Sequence, residues 1–408
     1  MQRQQVIRYG FLGLPLAFGA LPIYLFVPDF YARSGLLELS VIGFVLLITR
    51  LIDAVADPCF GWLIDRYSRK TVIYWALVPF ALGFLALFTL PATGISPTFW
   101  LFMSLAFCTL GFSAAMIAYQ AWGSDLGGDS TERLRLTGAR EAFILVGVVI
   151  AAIIPSLGSD QPLTGMAVLP YFLLGFLFLS LLIIRGLPTG ILNKNEESLV
   201  SRLGVVWGDK IYRRLLAVFM ANGVASAFPA TLFVFYVADV LQAPEKTGLL
   251  LAIYFVSAAI AVPCWVRIAQ IIGRPWTWFL SMLLAMTAFA GAAFLGTGDW
   301  LWFLAICVVS GAAVGTDLPI PASLVADLGE KQSASGIYFG LWNLVAKINL
   351  ALGAGIALPL LGMFGYAPGS IDHSDILIAA YVLLPLTLKG IAVVMLYCWR
   401  KPLTILSA

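Results

Sequence analysis

Charge is scarce in this sequence. Only 11% of its 408 residues are Asp, Glu, Lys or Arg, against roughly 25% in soluble domains. Together with 61% hydrophobic residues and a mean hydropathy of +0.97, that scarcity excludes a water-soluble protein of two or three domains, because no soluble core could hide so much apolar surface. Histidine is nearly absent. The one copy, His373, falls in the polar loop SIDHSD with no metal-ligand spacing around it. The five cysteines, Cys59, Cys108, Cys264, Cys307 and Cys398, are odd in number, dispersed and each set in an apolar run. That pattern excludes a disulfide framework or a zinc site. There is no G-x-S-x-G, no phosphate-cradling glycine loop and no ATP-binding domain. An enzyme and a nucleic-acid partner therefore have no support, ATP-driven transport would need a separate subunit, and no cofactor is expected beyond a coupling ion. The start, MQRQQVIRYG, is too short before the first apolar run for a cleaved signal and reads as mature.

Apolar runs of membrane-crossing length are abundant. At about 20 residues per crossing plus a connection, the chain has room for on the order of twelve. The runs fall at 9–32, 38–64, 71–92, 97–124, 138–159, 166–186, 213–240, 247–270, 276–296, 300–327, 334–363 and 376–398, predicting an all-α integral membrane protein of twelve spans. Proline and glycine inside them are tolerated where neighbouring helices re-satisfy the backbone. Of 24 Lys and Arg, nineteen lie on one side and only Arg33 and Lys246 opposite, with Arg50, Lys347 and Lys389 inside spans. The positive-inside rule places both termini in the cytoplasm.

The longest polar stretch, 187–212, divides six spans from six. It predicts an N-terminal bundle over 1–186, a cytoplasmic linker over 187–212 and a C-terminal bundle over 213–408. A shift of 205 residues lays Pro58-Cys59-Phe60 over Pro263-Cys264-Trp265 and Arg69 over Arg274. Parallel six-helix repeats of this kind build major-facilitator transporters. The segment from Gly61 to Lys70 reads G-x-x-x-D-R-x-x-R-K and resembles the signature cytoplasmic loop of that superfamily. Asp65 in it suits the positive end of a neighbouring helix, and Arg66 and Arg69 suit ion pairs that hold an inward gate and reopen easily.

An ionisable residue inside a span costs roughly 2.5–3.5 kcal/mol on insertion scales and is functional by default. Arg50, Asp53 and Asp57 stand at i, i+3 and i+7 of the second span, on one helical face. Two carboxylates a turn apart form an oxygen-rich cation site, or a pair whose repulsion raises one proton affinity. Lys347 in the eleventh span lies about 20 Å from that span's cytoplasmic start by helical rise, level with both acids, and suits the site when the cation leaves. Asp317, flanked by Gly315, Pro319 and Pro321 in the tenth span, sits where interrupted helices mark substrate sites. Lys389 in the last span reads as directed to a cavity or snorkelling, with no function assigned.

R-x-x-D-A-x-x-D-P-x-x-G in the second span, ERLRLTGAREAF, SLVADL and IYFGLWNLVAKINLALG, in order and correctly spaced, resemble the glycoside–pentoside–hexuronide:cation symporter family, whose best-known type is the melibiose carrier. The resemblance implies a major-facilitator fold in two pseudo-symmetric six-helix bundles and solute uptake coupled to Na⁺, Li⁺ or H⁺. It implies cation-site roles for Asp53 and Asp57, a pairing role for Lys347, and a place near the sugar for Arg140. The chain also departs from the family. The sugar-binding acid of the first helix falls at Ala17, the acid of the fourth at Met116, and an aromatic there at Gln120, with Tyr119 and Trp122 beside it. Losing both acids removes bidentate acceptors for vicinal hydroxyls, and losing a cation ligand favours H⁺ over Na⁺. Asp317 then stands as a replacement acid, with Trp342, Asn343 and Asn222 as further cavity residues.

The expected function is cation-coupled symport of a small glycoside-like solute across the inner membrane. A lysolipid or other amphipathic substrate is the alternative, since wider members of the family move such molecules. A non-transporting assembly factor or receptor on the same fold is the alternative from another class. Oligomeric state is not readable from the residues.

Overall fold

The computed structural model describes residues 3–37, 39–157, 162–189, 198–364 and 374–404; Lys194 and His373 lie outside the described residues. Among the described residues every regular element is helical. In chain order they are α1 (Arg3–Phe11), α2 (Gly13–Ser34), α3 (Leu39–Ile64), α4 (Arg69–Leu87), α5 (Pro97–Leu126), α6 (Ser130–Leu157), α7 (Pro162–Ala167), α8 (Leu169–Ile184), α9 (Leu199–Gly208), α10 (Lys210–Phe235), α11 (Thr247–Ile272), α12 (Arg274–Ala290), α13 (Trp300–Asp317), α14 (Pro319–Lys331), α15 (Ser335–Met363), α16 (Ser374–Ile378) and α17 (Leu384–Thr404). Single π-helical turns at Tyr236–Val240 and Ala379–Leu383 extend α10 and join α16 to α17.

Ten stretches among the described residues are long and apolar enough to cross a bilayer. At the places expected for the second and eleventh spans stand α3 and α15, of 26 and 29 residues. By helical rise these reach about 39 and 43 Å, more than the ~30 Å hydrocarbon core. The protein is thus a multi-pass helical membrane protein. Several expected spans are built in pieces. The first breaks at Leu12 between α1 and α2, and the tenth breaks after Asp317, ahead of Pro319. A proline at the first helical position fits there because its missing N–H is one of the unbonded donors of a new helix. The stretch 187–212 carries a helix, α9, whose Arg202 and Val206 are buried.

Local sequence sets the helix starts. The Asp209 carboxylate accepts the amides of Ile211 (2.9 Å) and Tyr212 (3.2 Å) at the head of α10, and Asp129 accepts the amide of Glu132 (2.7 Å) at the head of α6. Both bonds satisfy donors that have no partner inside the helix. The half-length repeat is visible in these boundaries. Helices α4 and α12 begin on Arg69 and Arg274, the two arginines that the 205-residue shift superposes, and both side chains are buried.

The chain divides into two compact units. One comprises Met1–Val206 with Val325–Leu344, the other Trp207–Leu324 with Val345–Ala408. In the first, Lys70 Nζ donates to the carbonyls of Arg185 (3.0 Å) and Leu187 (2.8 Å), closing the C-terminal end of α8. Close backbone contact seats the start of α15 against the end of α3: a methyl added at Gly340 would lie 2.6 Å from the Asp57 carbonyl oxygen, and one at Gly61 would collide with the Gly336 carbonyl. In the second unit, Gly311 and Gly315 bring α13 against the backbone of α11 in the same way. Its aromatic core includes Tyr236 and Tyr381 of the two π-helical turns, whose rings stack at 4.2 Å and 16°.

Candidate functional site

Among the described residues four buried polar clusters stand out. The first is on α3. Asp53 and Asp57 are buried, at 3% and 0% exposure, while Arg50 is exposed. The two acids share the inner face that their i, i+4 spacing dictates. From α5 the Ser113 hydroxyl donates to Asp53 Oδ1 at 2.5 Å. Lys347 lies half-buried in the second unit, midway along α15.

A second cluster lies where α3 ends, in the first unit. Asp65 Oδ1 and Oδ2 accept the amides of Gly336 (2.8 Å) and Ile337 (3.1 Å), two donors left open at the head of α15. Arg69 reaches Asp65 (2.9 Å) and Asp125 (2.9 Å) and also bonds the Ile64 carbonyl. Burial pushes the Asp65 carboxyl above its ordinary value, and the Arg69 guanidinium and the two amides oppose that rise. Arg66 covers the Trp62 ring at 3.9 Å. Nearby, Arg133 Nε pairs with Asp327 Oδ1 at 2.5 Å, Arg133 Nη1 donates to the Gly127 carbonyl (2.8 Å), and the Ser130 hydroxyl donates to Asp327 Oδ2 (3.1 Å). The sequence assigned neither Arg133 nor Asp327 a role. They lie 194 positions apart, and only the fold brings them together.

The third cluster joins α5, α6 and α1. Arg140, 1% exposed, gives Nε and Nη2 to Glu141 Oε1 (3.0 and 2.7 Å). Tyr119 is fully buried, its hydroxyl within 2.7 Å of the Tyr9 carbonyl and 3.1 Å of that of Gly10, and the Tyr9 hydroxyl donates back to the Tyr119 carbonyl (2.9 Å). Tyr119 is therefore a strut between α1 and α5. At the next position on α5, Gln120 Oε1 accepts from Asn343 Nδ2 (2.8 Å), and Trp342, the neighbour of Asn343 in sequence, is buried.

The fourth is in the second unit and centres on Lys389, the in-span cation with no role assigned from sequence. Its ammonium donates to Asn222 Oδ1 at 2.7 Å, lies 3.4 Å from Asp317 Oδ2 and 3.5 Å from the Ser226 hydroxyl. Trp278 Nε1 donates to Asp317 Oδ1 at 2.7 Å. Asp317 and Asn222 are thus together, at the helix break the prolines foretold, but the partner that joins them is Lys389. Among the described residues no cluster of three or more His, Cys, Asp or Glu could hold a metal.

Residues 8–404 match the sequence profile of the family described as MFS/sugar transport protein. The inner membrane symporter YicJ of Escherichia coli is 23% identical over 89% of this chain and 84% of its own length. An uncharacterized symporter of Synechocystis is 22% identical over 81% and 80%. Among solved structures, a bacterial homologue of the iron transporter ferroportin in its outward-facing state aligns with a TM-score of 0.76 at 18% identity, covering 98% of this chain and all of the other. The E. coli fucose:proton symporter aligns with a TM-score of 0.73 at 17% identity, covering 97% and 98%. These likenesses establish the major-facilitator fold.

Proposed function

The chain belongs to the MFS/sugar transport family, so it is a membrane transporter, and on that premise we propose that it carries a small organic solute by cation-coupled symport, through alternating access, in the inner membrane. The observation that carries this reading is the burial of Asp53 and Asp57 on one face of α3, at 3% and 0% exposure. Two acids in a spanning helix cost several kcal/mol to insert, a cost that a coupling ion offsets each time it binds. H⁺ is the favoured ion, because the resemblance places Met116 where a further cation ligand is expected. The buried bonds of Asp65, itself paired with Arg69, to the head of α15 act as the cytoplasmic closure, which must part for solute to enter the cell. Gln120, Asn343 and Trp342 in the first unit and Asn222 in the second are the polar residues this reading assigns to the solute, with Arg140 held behind them by Glu141 and Asp317 acting through Lys389.

The test is uptake into proteoliposomes under an imposed pH or Na⁺ gradient. Asp57→Asn is expected to abolish accumulation against a concentration gradient while the purified variant keeps its helical content. Undiminished accumulation removes the assignment of these carboxylates. A second reading of the solute, as an amphipathic molecule, rests on a cavity in the second unit lined by Phe233, Tyr254, Phe289, Phe303 and Tyr381.

A further inference from the structure

The second unit holds a partly open cavity of about 200 Å³ between α10, α11, α12, α13 and α17. Its wall is aromatic and apolar, with Phe233, Tyr254, Phe255, Phe289, Phe303 and Tyr381 the largest contributors. Among the described residues that line it, Lys389 is the only charged one. Asp317 is not on the wall; it stands behind the ammonium, held by Trp278. A cavity near 150 Å³ with an apolar lining accommodates benzene, so this one has room for a single ring with a short arm.

Resting on the reading of the chain as a solute carrier, we propose that this cavity binds a small amphipathic anion, an aromatic or branched aliphatic body carrying one carboxylate, with the carboxylate on Lys389. Three features of the Lys389 surroundings support this. Its one short bond is to a neutral acceptor, Asn222 Oδ1 at 2.7 Å, whereas the contacts to Asp317 and Ser226 are long, at 3.4 and 3.5 Å. An ammonium has three donors, so a carboxylate entering from the cavity takes the place of long contacts and keeps the short one. Asp317 keeps the Trp278 N–H on its other oxygen at 2.7 Å and shares the ammonium with the incoming carboxylate. Burying an anion is costly unless it is paired and hydrogen-bonded, and the cavity offers one cation for the head while its rings take the apolar body. A cationic ligand is disfavoured, since the charge it would meet first is the lysine.

The experiment is calorimetric titration of the purified full-length protein in detergent with three probes of one shape: 3-phenylpropanoate, its primary amide and 3-phenylpropylamine. The carboxylate is expected to bind at least tenfold more tightly than the amide or the amine. Lys389→Arg should keep that preference. Lys389→Met should abolish it, and because that variant leaves Asp317 beside no cation, Lys389→Met with Asp317→Asn is tested alongside as a charge-neutral partner that should fold and also lack the preference. Equal binding of carboxylate and amide, preference retained in the neutral double variant, or no binding of any probe at millimolar concentration each overturns the proposal. No ion gradient is present, so this failure leaves gradient-driven uptake standing, and a failure of the Asp57→Asn test leaves the anion site standing.

Discussion

Replacing Asp65 isolates the closure at the end of α3. Its carboxylate is the acceptor for the Gly336 and Ile337 amides, and it pairs with Arg69. Hydrogen bonds to a charged group contribute about 1.5–3 kcal/mol each. The carboxamide introduced by Asp65→Asn keeps one oxygen for one backbone amide, so the substitution loses one charged bond and the Arg69 attraction. Breaking a buried ion pair ordinarily costs about 3–5 kcal/mol because a charge is left stranded. Here Arg69 keeps Asp125 at 2.9 Å and the Ile64 carbonyl. Burial also favours the neutral carboxyl, which places the loss below that range, at about 2 kcal/mol, the size of one charged hydrogen bond. At 1.4 kcal/mol per factor of ten, the head of α15 should open about thirtyfold more often, and several hundredfold more in Asp65→Ala, which loses both amide bonds. Amide hydrogen exchange with fragmentation to single residues reads this directly at Gly336 and Ile337. The Tyr338 amide, bonded to the Ala334 carbonyl at 3.2 Å, separates two outcomes: it quickens only if the helix start detaches, and stays slow if the cap alone is lost. Exchange at Gly336 and Ile337 within twofold of wild type in Asp65→Ala would refute the capping role.

Two further substitutions test neighbouring claims. Gly340→Ala places a methyl 2.6 Å from the Asp57 carbonyl and 3.2 Å from Pro58 Cα, backbone atoms that cannot swing away. Overpacking of this kind costs about 1–3 kcal/mol, so the thermal midpoint should fall and exchange in the first turns of α15 quicken; a variant as stable as wild type would contradict the close helix contact. Tyr119→Phe removes a hydroxyl that holds α1 to α5 and should cost about 1 kcal/mol of stability while the KM for the transported solute is unchanged. A raised KM with stability intact would return Tyr119 to the solute site.

Features confined to one helix were legible in the sequence. Asp53 and Asp57 announce a shared face through their spacing alone, and burial follows from the insertion cost of any other arrangement. The break at Asp317 was legible because Pro319 and Pro321 cannot continue an undisturbed helix. The division of the first span at Leu12 was not, since LGLPLAFG has the same apolar character as any continuous span. Helix α9 was also hidden, because the polar tally of 187–212 as a whole masks the apolar positions at Leu199, Leu203 and Val206.

Partners on different helices were legible only where a motif had already paired them. Asp65 was tied to a helix N-terminus by its loop pattern, whereas Arg133 and Asp327 carried no signal across 194 positions. Lys389 is the instructive case. A lysine five residues into α17 satisfies equally a chain that snorkels to the interface and one that turns inward, and nothing local decides between them. The fold decides: the ammonium turns inward, 2.7 Å from Asn222 Oδ1 and 3.4 Å from Asp317 Oδ2. An in-span acid needs a cation or a proton, so in a sequence with so few charges each buried acid has few candidate partners, but the choice among them takes contacts between helices that no local pattern carries.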